Sequence, residues 1–128
     1  MSDETARPTA TKTRQFPVDV LTPGAKRRRL ELTMAPVPAY AELAAKVAPL
    51  IGGSIEHVRI WDKHQEIYAS MFVDEQSISK GLPRNEAATK IYRANMIAHS
   101  KDPRAKLDPE RLPAIYGAAV VFKCNVWR

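Results

Sequence analysis

The sequence predicts one α+β domain, and three patterns carry the prediction. Apolar residues alternate over 27–34, recur at helical spacing over 40–51, and run almost unbroken over 114–122. A chain of 128 residues has room for one hydrophobic core, and 45% apolar with 27% charged residues is the balance of a globular chain, not a disordered one.

Residues 1–26 are rich in Thr, Pro, Lys and Arg, and their apolar cluster, Phe16, Val18, Val20 and Leu21, is interrupted by Pro17 and Pro23. Burial of so few groups does not offset the entropy of ordering them, so 1–26 is expected to be a flexible basic arm ahead of a single domain at 27–128. Phe16 to Leu21 are its only residues suited to docking on the body or on a partner. Residues 1–30 hold seven Lys/Arg against three Asp/Glu and the remainder 13 against 11, so most of the +6 net charge lies on the arm.

Leu30, Leu32 and Met34 alternate with Arg29, Glu31 and Thr33, the period of a half-buried strand. Pro36 and Pro38 stop it, and Pro38 suits a helix entrance, where its missing N–H costs nothing. Tyr40, Leu43, Ala44, Val47 and Ile51 then form one helical stripe, ended by Gly52-Gly53. The β-branched and aromatic stretches 55–61 and 67–73 predict two antiparallel strands joined through a hairpin loop at 62–65. Asn85 is a suitable N-cap and Glu86 complements the positive helix end, with Ala87, Ile91, Ala94 and Ala98 marking the buried face of a second helix. The prolines of 101–113 predict a surface connection with room for one helical turn at 108–111, and 114–122 predicts a strand covered on both faces. The order β-α-β-β-α-β is that of a four-stranded, mostly antiparallel sheet with two helices on one face, ferredoxin-like or similar.

The chemistry offered is sparse. Cys124 is the only cysteine, which excludes an internal disulfide and a cysteine-based zinc cluster and fits a reducing compartment. His57, His64 and His99 fall on a strand, a loop and a helix end without zinc-ligand spacing, and Asp74-Glu75 point to opposite faces of a strand. Gly52-Gly53 follows a helix where a phosphate loop would precede one. No run is long and apolar enough for a secretory signal or a membrane span, so a soluble protein is expected.

Residues 71–75, 80–89 and 112–122 together resemble a family of small proteins of unknown function borne by bacterial plasmids, phages and integrated elements. Its most specific parts are Leu82-Pro83-Arg84-Asn85-Glu86-Ala87-Ala88-Thr89 and the later Gly117-Ala118-Ala119-Val120. The similarity covers 30–128 and excludes the arm. It implies a mobile-element accessory protein of the bacterial cytoplasm and transfers no catalytic residue. In folding terms the first block is a helix cap and first turn, while Gly117 and Ala119 permit close approach of another segment.

The expectation is a non-catalytic protein without cofactor or metal, acting through protein–protein contacts with Trp61, Tyr68, Phe72 and Trp127 as aromatic anchors. Nucleic-acid binding through Lys12, Arg14, Lys26, Arg27, Arg28 and Arg29 is the alternative, as is a small anion or nucleotide at Lys80, Arg84 and Asn85. A second copy of the chain is also among the partners considered.

Overall fold

A computed structural model describes residues 12–60, 70–98 and 112–123. Five strands, β1 (Arg14–Leu21), β2 (Arg28–Met34), β3 (Ile55–Arg59), β4 (Ser70–Asp74) and β5 (Ala119–Phe122), alternate with helices α1 (Tyr40–Ile51) and α2 (Glu86–Ala98) in the order β1-β2-α1-β3-β4-α2-β5. The strands form one antiparallel sheet ordered β2-β1-β5-β4-β3. The class is α+β, as expected.

The principal correction concerns the N-terminal segment. Arg14–Leu21 is a strand inside the sheet, paired with β2 on one side and β5 on the other. Phe16, Val18 and Val20 enter one core cluster, and Leu21 enters a second. The strand signal was the alternation of Phe16, Val18 and Val20. Pro17 does not break it, because β1 meets β5 only from Val18 onward, where no proline interrupts the ladder. The domain therefore begins well before residue 27, and 12–26 is not a free arm.

The helices lie on opposite faces, which overturns the expected ferredoxin-like placement on one. Successive strand residues point to opposite sides, so Phe72, Val120 and Phe122 face Leu43, Val47 and Ile51 of α1, while Met71, Val73, Ala119 and Val121 face Ala88, Ile91 and Tyr92 of α2. On the α1 side Phe122 receives Phe16 and Phe72 edge-on, with centroids 6.2 and 5.6 Å away. Each buried ring of this kind contributes about 2–3 kcal/mol. The connection through α1 runs from one edge strand to the other. A 12-residue helix is about 18 Å long and five strands span about 19 Å, so α1 has the length to cross the whole sheet.

Other elements match in kind and differ in extent. Gly52 ends α1, its N–H donating to Ala48 O at 2.7 Å, and Asn85 caps α2 by accepting the Ala88 N–H at 3.0 Å. The last strand is shorter than expected, because 112–118 turns aside to run along α2. The hairpin loop at 62–65 and the turn at 108–111 lie outside the described residues.

Because β1 is flanked by strands on both sides, a chain lacking residues 1–26 should lose cooperative thermal unfolding, monitored by circular dichroism, instead of melting like the full-length protein.

Candidate functional site

Residues 82–93 and 112–117 meet in space, and what joins them is a ladder of buried polar side chains. Asn85, Thr89 and Arg93 stand four residues apart on one side of α2, exposed by only 1, 2 and 9%. The Asn85 carboxamide donates to Gly117 O at 2.8 Å and Leu21 O at 2.9 Å. Thr89 Oγ1 accepts the Ile115 N–H at 2.9 Å and donates to Ile115 O at 3.3 Å. Arg93 donates to Leu112 O at 2.8 Å and Pro113 O at 3.4 Å. Four helical residues rise about 6.0 Å and two extended residues about 6.6 Å, so steps of four on the helix stay in register with steps of two on the strand.

Backbone bonds complete the contact: Asn85 N–H donates to Ile115 O at 2.8 Å and Gly117 N–H to Pro83 O at 2.7 Å. Gly117 has φ 80°, which side-chain-bearing residues rarely adopt, and a Cβ there would stand 2.7 Å from Leu82 Cδ1. The ladder also corrects the predicted helix face. Ala87 and Ala94 are exposed, whereas Ala88 and Thr89 are buried, because hydrogen bonds at 85, 89 and 93 fix the rotation of the helix.

Along the exposed side of α2 runs an open groove of about 430 Å³, lined by Arg84, Glu86, Thr89, Lys90, Arg93, Ala94 and Ile97. Three of these carry positive charge and one negative. Arg84 leans on Glu86, Nε to Oε2 3.2 Å, whereas the nine-tenths-buried Arg93 bonds only to carbonyl oxygens among the described residues. Lys90 and Arg93 were not among the sequence candidates. The available signal was the four-residue spacing of Asn85, Thr89 and Arg93, which makes a polar stripe where an apolar one is expected.

The candidates named from sequence fare differently. Phe72 is 1% exposed in the core, with its centroid 5.0 Å from the His57 ring, so it is not a surface anchor. Trp61, Tyr68 and Trp127 lie outside the described residues. The basic run is partly consumed within the fold: Arg29 Nε reaches Oδ1 of the fully buried Asp19 at 2.8 Å, with Arg27 3.7 Å from Oδ2. Arg14 lies 4.8 Å over the Phe16 ring, and Lys12, Lys26 and Arg28 are exposed. The proposed anion position at the start of α2 is filled by the chain itself, since Asn85 caps it, Arg84 pairs with Glu86, and Lys80 Nζ meets Asp74 Oδ2 at 2.7 Å.

Asp74 is almost wholly buried, and the hydrogen bond from Lys80 holds its carboxyl below the usual carboxylate range, aided by the Gln76 N–H and opposed by burial. Gly53 makes room for this pair, since a Cβ there would fall 2.5 Å from Lys80 Nζ. His57 Nε2 lies 3.2 Å from Ser70 Oγ, but Ser70 is fully buried and cannot meet a substrate. Among the described residues no cluster suits a metal ion, no helix is long and apolar enough to cross a membrane, and every buried side-chain N or O atom has a hydrogen-bond partner. No protein-family model matches the chain, and no curated protein or solved structure matches it.

Two outcomes follow. Asn85→Asp keeps the cap acceptor but cannot donate to Leu21 O and Gly117 O, so urea denaturation should show a loss of about 2–4 kcal/mol. Asp74, with its folded pKa depressed, contributes stability that is complete above an unfolded-state pKa of roughly 4 and fades as pH falls through the folded value. Denaturation midpoints of the wild type should therefore drop through this acid window, and those of Lys80→Met should drop less.

Proposed function

We propose that the protein is a non-catalytic accessory binding protein of a bacterial mobile element, and that it takes an acidic segment of a partner protein into the groove along α2. The observation that carries this reading is Arg93, a nine-tenths-buried guanidinium on the groove wall whose partners among the described residues are carbonyl oxygens and no carboxylate. Carbonyls orient a cation without neutralising it, so a carboxylate entering beside it gains charge-assisted hydrogen bonds in a partly desolvated place.

The rest of the groove fits the same ligand. Lys90 is exposed one turn away, and Ala94 with the 43%-exposed Ile97 offers an apolar end to the same track. From Glu86 to Ile97 the helix rises about 16 Å, the length of roughly five extended residues. A short peptide with acidic residues and one apolar residue matches both chemistry and length. Phosphate backbones are matched less well, because Glu86 stands at one end of the groove and Arg84 is already paired with it. The basic run that favoured nucleic acid in the sequence is partly drawn onto Asp19.

The non-catalytic part of the reading rests on the sequence, which offers no recognisable catalytic motif. The mobile-element setting, and with it the bacterial cytoplasm, rests on the resemblance of 82–89 and 117–120.

Fluorescence anisotropy with a labelled Glu/Leu peptide, set beside a labelled single-stranded oligonucleotide, tests the reading. The peptide is expected to bind, and the exposed substitutions Lys90→Glu and Ala94→Glu should each weaken it about tenfold, or roughly 1.4 kcal/mol. Unchanged affinity in both variants, or binding of the oligonucleotide alone, would refute it.

A further inference from the structure

The edge strand β2 carries a pattern that neither the core nor the groove uses. β1 flanks it on one side and no described strand on the other, and such an edge presents backbone N–H and C=O groups to whatever can pair with them. Charged residues on an edge commonly guard against pairing. Those of β2, however, are of both signs and ordered symmetrically about an apolar centre: Arg28, Arg29, Leu30, Glu31, Leu32.

We propose that β2 pairs with β2 of a second copy of this chain, antiparallel about a two-fold axis at Leu30, making a homodimer with one continuous sheet. In that register Leu30 faces Leu30, Arg29 of each copy faces Glu31 of the other, and the aliphatic stem of Arg28 lies beside Leu32. Neighbouring registers lose this match: an axis at Glu31 opposes two carboxylates, and an axis at Arg29 opposes two guanidinium groups. β3, at the other edge of the sheet, has no such symmetry, since an axis at His57 sets Glu56 against Val58.

Three observations on β2 support the pairing. Glu31 is exposed and makes no ion pair among the described residues, its cross-strand neighbour in β1 being the uncharged Pro17. Arg29 already faces the buried Asp19 across β1, so the dimer would extend one row of alternating charge, Asp19, Arg29 and the second copy's glutamate, over three adjacent strands. Leu30 and Leu32 are only half-buried against the α1-side core, and Val37 and Tyr40, 70 and 50% exposed, follow in the chain where β2 leads into α1. Apolar surface therefore lines the same margin that carries the edge. The inference is independent of the groove, which runs along α2 and is lined by no residue of β2.

Sedimentation equilibrium of the full chain over the micromolar range tests it. A monomer–dimer equilibrium is expected, and Glu31→Lys, an exposed change that leaves the fold intact, should raise the dissociation constant roughly tenfold or more. In a Cys124→Ser background Leu30→Cys should oxidise to a covalent dimer and Leu32→Cys should not, because only position 30 lies opposite itself. A chain monomeric at every concentration, a dimer indifferent to Glu31→Lys, or equal cross-linking from both cysteines overturns the proposal.

Discussion

The arrangement depends first on the buried polar ladder between α2 and 112–117. A buried carboxamide, hydroxyl or guanidinium is costly unless its hydrogen bonds are made, and here each finds its partner on one extended segment. Because the rise of one helical turn nearly equals that of two strand residues, the three contacts stay in register without distortion. Asn85 reaches further, to the carbonyl of Leu21 at the end of β1, so one side chain couples the start of α2, the approach to β5 and the N-terminal strand. Rotation of the helix, shortening of the last strand and the left-handed backbone at Gly117 are consequences of that junction.

Charge is deployed inside the fold to a degree that net composition conceals. Asp19 and Asp74 are buried acids, and each draws cations inward, Arg27 and Arg29 in one case and Lys80 in the other. Removing Lys80 would leave the buried Asp74 carboxylate with the Gln76 N–H but no counter-cation among the described residues, which is more costly than losing an exposed ion pair. These cations are therefore bound up with stability, whereas Lys90 on α2 stands exposed beside the groove.

The groove is a by-product of the same junction. With one stripe of α2 turned to the sheet and another bonded to 112–117, the remaining face presents Glu86, Lys90, Ala94 and Ile97, and Arg93 sits on the boundary between ladder and groove. A residue held rigidly by carbonyl oxygens is pre-organised for a ligand, because no rotamer freedom remains to be lost on binding. In the proposed reading, structural and recognition roles share one side chain. On the far side of the sheet, α1 has only to cover the apolar face that spans five strands, which its length allows.

Local pattern in the sequence determined the α+β class, both helices, the Asn85 cap, the β3–β4 pairing and the two-sided burial of β5, because each depends on residues close in the chain. The same pattern was present in Phe16, Val18 and Val20, yet Pro17 and the surrounding cations obscured it. Whether a proline is tolerated depends on where a neighbouring strand begins. Only tertiary structure decided the insertion of β1 between β2 and β5, the placement of the helices on opposite faces, and the pairing of Arg29 with Asp19 and of Lys80 with Asp74. It also decided that Asn85, Thr89 and Arg93 act together, since their partners on 112–117 lie nineteen or more residues away and no local period announces a carbonyl waiting there.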